Sequence, residues 1–398
     1  MSAKPLDGLR VIEMGQLIAG PYCAQLLGDF GAEVIKIEPP KRGDPMRNWG
    51  HHQYRGKSVW WPIIARNKRS VTCDLRTEKG QQLARDLIGS ADIAVENFRP
   101  GTLERWGLDF ETLRARNPGL ILTRVTGFGQ DGPYASRAGF GSIGEAMGGI
   151  RFLTGYPEFP PTRVGISLGD SLAGLFAALG TLCAVQHRHN TGVGQIVDAA
   201  IYESVLALME SSVAEWELTG HQRERSGAVL ANVSPSNVYP TSDGAELLIS
   251  ANQDSVFRRL ADVIGRPDLI TDERFSTHLA RGVNMVQLDD VIAQWSKTMT
   301  FEEAMKRLQD NGVPADKIYT ANDMIKDQHF QARKSIVRVQ DPVLGDVPMH
   351  NVFPRLSETP GGVESTGPEL GQDNAYIYGS ILNLTSAQLQ SLAADGII

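Results

Sequence analysis

The opening forty residues constrain this chain most. Leu9–Met14 is a short apolar run, Gly15–Gly20 a loop, and Pro21 stands where a first-turn proline belongs. Cys23, Leu26, Leu27 and Phe30 then fall at i, i+3, i+4 and i+7, one face of a helix. Gly31 ends that helix, and Ala32–Glu38 is a second apolar run. Strand, helix and strand in so short a span form a βαβ unit, which commits the chain to a parallel sheet. The pattern continues: strand Ser70–Leu75, helix near Glu78–Ile88, strand Asp92–Glu96, helix Glu111–Arg116 and strand Leu120–Thr126. Alternation of this kind predicts an α/β domain with helices on both faces. Ligands of such sheets bind at the carboxyl ends of the strands.

Beyond this region a long helix rich in small residues is expected from Ser171 to about Gln186, and another over Tyr202–Leu218. Residues 221–245, rich in Ser, Gly, Asn and Pro, read as a linker. A smaller α+β segment follows, with helices near Val256–Ile264 and Phe301–Asn311, and 337–362 suggests hairpins returning to the first domain. The expected division is 1–200 as the large domain and 201–224 as a linker helix. Residues 225–320 form the small α+β domain, and 321–398 a linker with the C-terminal return.

Composition narrows the function. The chain has 398 residues and a net charge of −7, unevenly spread. Residues 1–150 carry 20 Lys and Arg against 16 Asp and Glu, whereas the remainder carries 19 against 30. A surplus of four positive charges is too weak for a nucleic-acid footprint, yet suits a small phosphorylated ligand. No apolar run nearing the roughly 18–20 residues of a membrane span is expected, and the first residues lack the basic and apolar regions of a secretory leader. Cys23, Cys73 and Cys183 show no ligand spacing and read as reduced thiols, so the expectation is a cytoplasmic protein without nucleic-acid or membrane partners and without a bound metal.

Several motifs bear on chemistry. The turn after the first strand holds only Gly15 and Gly20, short of the three glycines of a dinucleotide fingerprint, although Glu38 mimics the ribose-binding acid. The pairs His51/His52 and His187/His189 share no helical face, and no G-x-S-x-G elbow occurs. Asp170 is the most informative residue, lying where a glycine-bearing loop becomes an apolar helix. The dipole there favours a carboxylate, either as a plain N-cap or as a reactive group. Arg76, Arg99, Arg105 and Arg137 near strand ends suit a polyphosphate, and Phe98 beside Arg99 suits a stacked adenine.

These segments resemble the class III CoA-transferases, the formyl-CoA and carnitine CoA-transferase group, over nearly the whole chain. The resemblance is carried by Ala19–Pro21, Leu27–Glu38, Gly43–Arg47, Asn67–Ser70, Asp92–Gly101, Thr126–Pro133, Gly169–Asp170 and Thr191–Asp198. It implies a Rossmann-like large domain with an inserted small α+β domain, in an intertwined homodimer. It implies that Asp170 is the nucleophile of an acyl-CoA reaction, with CoA thioester as substrate and no cofactor. It places Ile18 and Ala19 at the pantetheine entrance, Leu75 and Arg76 beside the adenine, and Asn97, Phe98, Arg99 and Arg105 on the nucleotide and phosphates. Arg137 to Phe140 become the wall near the thioester, and Trp49, Gly141 and Glu145 the substrate pocket.

Departures from that pattern narrow the substrate. Formyl-CoA transferases carry glutamine where this chain has Ile18, and a tetraglycine loop absent from 221–260. The relatives that isomerise α-methylacyl-CoA use a histidine that Gly139–Glu145 lacks, so one of the two proton carriers is missing. The stretches Gly141–Gly149 and Pro160–Asp170 look most like transferases using succinyl-CoA and other dicarboxylates, with Arg47 or Arg163 as partner of a distal carboxylate.

Overall fold

The computed structural model describes residues 4–398. Its centre is a six-stranded parallel sheet made of β1 (Arg10–Glu13), β2 (Glu33–Glu38), β3 (Lys68–Thr72), β4 (Ile93–Glu96), β5 (Ile121–Thr126) and β6 (Ile196–Ala200). The spatial order is β3-β2-β1-β4-β5-β6. Strand order reverses between β1 and β4, and in doubly wound sheets the crevice at such a switch point holds the ligand. Strands β1 to β5 are buried on both faces, with Val11, Ile12, Ile35, Ile93, Val95, Ile121 and Leu122 all within 1% of full burial, while the edge strand β6 is exposed over its first residues. Near-continuous apolar runs are what a sheet covered on both sides requires.

Helix α1 (Ala19–Asp29) and α2 (Glu78–Gly89) follow β1 and β3. Thr77 starts α2 by accepting the Gly80 N–H, and α3 (Phe110–Arg116) is capped by Asp109 in the same way. Helices α4 (Gly141–Met147) and α5 (Leu168–Thr191) lie between β5 and β6. The sequence expectation for α5 was too short at both ends. At 24 residues it is long and apolar enough, by length and composition, to cross a membrane, which corrects the expectation that nothing nears that length. Ala173, Ala177 and Ala184 of α5 are fully buried, and Thr181 bonds to Thr123 of β5 at 2.6 Å.

Contacts divide the chain into two compact units. The larger holds residues 1–150, 164–214 and 331–398; the smaller holds 151–163 and 215–330. The expected helix over 202–218 is two helices, Ile201–Leu206 and Ser212–Thr219, broken where Glu210 takes a left-handed backbone (φ 50°). Part of the expected linker is a strand, β7 (Ser236–Pro240), because Tyr239 is buried and the run pairs antiparallel with β8 (Glu246–Ser250). Strand β9 (Ala315–Lys317) completes that sheet. Helices α6 (Asp254–Val263), α7 (Met285–Ser296) and α8 (Phe301–Asp310) supply Phe257, Leu260, Ile292 and Leu308 to one apolar core. In the larger unit, hairpin β10 (Ile336–Asp341) and β11 (Gly345–His350) precedes α9 (Asn374–Leu382), where Asp373 accepts the Ser70 N–H of β3.

Candidate active site

Each of the sequence-selected residues of the large unit comes, in chain order, after the carboxyl end of a parallel strand. Ile18 and Ala19 follow β1, Trp49 follows β2, and Leu75 and Arg76 follow β3. Asn97, Phe98, Arg99 and Arg105 follow β4, and Arg137, Phe140, Gly141 and Glu145 follow β5.

Asp170 is the third residue of α5, half-buried, and the cap position belongs to Ser167, which makes no side-chain cap. The plain N-cap reading is thereby corrected: the helix begins three residues earlier than the loop composition suggested. Gly141 lies in front of this carboxylate, and a methyl group there would stand 2.3 Å from Asp170 Oδ2. Only glycine leaves that space open. Glu145, 2% exposed, accepts the Gly169 N–H at 3.1 Å and so holds the peptide just before Asp170. Four residues on from Asp170, on the same face of α5, Gly174 meets α1 so closely that a methyl group would stand 2.7 Å from the Ala19 carbonyl oxygen. The start of α1 thus lies one helical turn from Asp170.

The N-terminus of α1 carries no side-chain cap and no acid in its first turn. Its free N–H groups and dipole favour an anion. The loop leading into it, Gly15–Ile18, is held from several directions. Asn97 donates to the Gln16 carbonyl and accepts the Gln16 N–H, both at 2.8 Å, across the switch point. Lys36 Nζ donates to the Gly15 carbonyl at 2.7 Å, and Lys68 Nζ to the Pro21 carbonyl at 2.7 Å. Asp44 Oδ1 accepts the Leu17 N–H at 3.1 Å.

Those groups belong to a buried ionic network that the sequence reading missed. Glu13 pairs with Lys36 at 2.6 Å and with Lys68 at 2.7 Å, and Lys36 pairs with Asp44 at 2.9 Å. Burial raises the Asp44 carboxyl, but the Lys36 ammonium and the Met46 and Leu17 N–H groups outweigh it and hold Asp44 below the usual carboxylate range. Burial likewise lowers Lys36, and the surrounding carboxylates more than reverse this. Lys68, buried with less compensation from Glu13, is lowered. The available signal was the presence of Glu13, Lys36, Glu38 and Lys68 inside otherwise apolar strands.

Glu38 is fully buried, where it accepts from Arg47 Nε and Nη2 at 2.7 Å each and from Ser70 Oγ at 2.6 Å. The ribose-acid resemblance is therefore superficial. Arg47 is also stacked 3.8 Å over Trp61 and donates to the Pro368 carbonyl, so its guanidinium is committed and does not serve a distal substrate carboxylate. Arg163 belongs to the smaller unit.

The remaining selected residues have simpler settings. Arg76 is exposed and forked onto Asp74 at 2.7–2.8 Å. Leu75 is buried, and Phe98 packs edge-on against Trp106 at 5.2 Å. Arg99 is exposed, and Arg105 donates to Thr102 Oγ1 at 3.0 Å. Arg137 stacks 3.6 Å over Tyr134, while Phe140 is 68% and Trp49 41% exposed. Burial pushes the Cys23 and Cys73 thiols up to about 12, so neither supplies a thiolate. Among the described residues no cluster of His, Cys, Asp and Glu is arranged to hold a metal ion.

The family described as CoA-transferase family III matches residues 6–374. The chain is 58% identical over 395 residues to succinyl-CoA–D-citramalate CoA-transferase of Chloroflexus aurantiacus, covering 99% of this chain and 98% of that one. It is 40% identical to the alpha subunit and 39% to the beta subunit of succinyl-CoA–L-malate CoA-transferase of Chloroflexus aurantiacus, over 99% of this chain and 92% and 98% of theirs. The crystal structure of a CAIB/BAIF family protein from Brucella suis superposes with a TM-score of 0.84 at 35% identity, covering 95% of this chain and 100% of that one.

Proposed function

The chain belongs to CoA-transferase family III, and from that premise we propose that it moves CoA from succinyl-CoA to a short hydroxy-dicarboxylate such as citramalate or malate, with Asp170 as nucleophile. The observation that carries the mechanism is the half-buried Asp170 carboxylate at the start of α5, facing a glycine where any other residue would collide with it. The names of the similar transferases support the choice of donor and acceptor.

In this reading an Asp170 oxygen attacks the thioester carbonyl carbon, the C–S bond breaks, and CoA leaves as thiolate from an aspartyl-succinyl anhydride. The thiolate attacks the aspartyl carbonyl carbon and expels succinate, leaving an aspartyl-CoA thioester. The acceptor carboxylate attacks that thioester and again releases thiolate. The thiolate then attacks the acceptor's carbonyl carbon, giving the new CoA ester and freeing Asp170. No net proton is needed. Glu145 holds the Gly169 N–H next to Asp170, and the start of α1, one helical turn from Asp170, suits the thioester arm of acyl-CoA in the switch-point crevice.

The same reading takes the chain as a homodimer. Leu175 and Leu179, one turn apart on α5, are 52% and 56% exposed and Leu182 is 41% exposed, while Ala173, Ala177 and Ala184 of the same helix pack into the core. Near-equal likeness to an alpha and a beta subunit supports one chain filling both roles. Light scattering of wild type and Leu179→Glu checks this, a wild-type monomer being the adverse result.

For the chemistry, incubation with succinyl-CoA followed by hydroxylamine is expected to modify the peptide containing Asp170. Modification at another carboxylate, with turnover intact in Asp170→Ala, would sink the assignment.

A further inference from the structure

We propose that Asp44 is a positioning residue for the acyl-CoA side of the reaction, presetting the backbone of Gln16–Ala19 on which the thioester arm lies. The proposal rests on the reading above, that acyl-CoA occupies the switch-point crevice. Asp44 is 1% exposed. It begins the short 3₁₀ turn Pro45–Asn48, its Oδ1 accepting the Met46 N–H at 2.9 Å. The same oxygen accepts the Leu17 N–H, and Oδ2 pairs with Lys36, whose ammonium also holds the Gly15 carbonyl. Its own N–H donates to Glu38 Oε2 at 2.9 Å. One carboxylate thus grips the loop at its middle directly and at its start through a lysine.

The loop needs such a grip because Leu17 has φ 64°. A branched side chain rarely occupies that left-handed region unless its surroundings impose it. With Leu17 in that conformation the chain turns into α1 at Ile18, whose carbonyl accepts the Tyr22 N–H at 2.7 Å, and Ala19 meets Gly174 below Asp170. Without the carboxylate, Leu17 relaxes toward ordinary backbone angles and the loop no longer presents one surface to the ligand. Ordering the loop would then draw on binding free energy at each encounter. Catalysis after binding, which uses Asp170, is affected less.

The test uses the full-length chain with Asp44→Ala and Asp44→Asn, the asparagine keeping one acceptor oxygen. Alanine is expected to raise KM for succinyl-CoA about tenfold, and asparagine about threefold. In both, kcat and KM for the acceptor acid stay within about threefold of wild type. Calorimetric titration with free CoA is expected to show the same ordering of Kd. A folded Asp44→Ala with unchanged KM and Kd for CoA overturns the proposal, as does a fall in kcat alone, which a merely structural loss of active protein predicts. If Asp44→Ala does not fold, Asp44→Asn decides: wild-type KM and Kd overturn it. Should wild type bind CoA without transferring it, the functional reading fails while the titration still tests Asp44. Should wild type not bind CoA, both fall.

Discussion

Both units of this molecule have apolar cores, but buried charge is divided unevenly between them. At the strand ends of the larger unit, Glu13, Lys36, Asp44 and Lys68 are at most 5% exposed and pair with one another, while the buried Glu38 pairs with Arg47. The smaller unit is built on Leu247, Ile249, Phe257, Leu260, Ile292 and Leu308, with Arg281 as its one fully buried charge among the described residues. Arg281 holds three backbone carbonyls and Asp254. Buried ion pairs contribute little net stability, because desolvation offsets attraction. Apolar burial stabilises strongly but is non-directional and cannot fix the peptide angles of an irregular loop. The ionic network therefore sits where backbone must be held in one unusual shape, and the apolar core where only cohesion is needed.

Four substitutions would break or sharpen that contrast. Asp170→Asn should lower kcat for CoA transfer about a thousandfold or more while circular dichroism stays native; turnover near wild type would remove the reactive role from the larger unit. Leu260→Ala should destabilise by about 3 kcal/mol in a denaturant titration, through the cavity it leaves. Activity per folded molecule should stay unchanged, and a matching loss of kcat would erase the division of labour. Gly141→Ala should cost about a hundredfold in kcat by displacing the Asp170 carboxylate by an ångström or so, with little change in melting temperature. Thr300→Ala, which removes the capping box that Thr300 and Glu303 form at the start of α8, should cost about 1 kcal/mol with kinetics unmoved.

Much of the edge of the sheet was legible in advance. The βαβ alternation predicted parallel strands, and their carboxyl ends are where Asp170, Gly141 and Asn97 are gathered. Asp170 stood out because a glycine-bearing loop meets an apolar helix there. Its role as third residue of α5, rather than cap, was hidden because Leu168 and Gly169 look like loop in isolation. Arg47 was misread for a related reason: an arginine in a loop reads as free, and its partner Glu38 mimicked a different motif. Asn97 was singled out as a ligand contact, and the structure shows both ends of its amide engaged with the Gln16 peptide.

What the amino-acid order determined by itself was local: strand and helix periods, turn glycines, and the caps at Thr77, Asp109 and Thr300, each set by neighbours a few residues away. What only the tertiary structure decided was which charges meet. Glu13 finds Lys68, Asn97 finds Gln16, and Ser70 finds Asp373 across 303 residues. The pattern of a sequence carries no distance between such residues. The worth of a charge depends on burial and partner geometry, which exist only once the strands lie side by side.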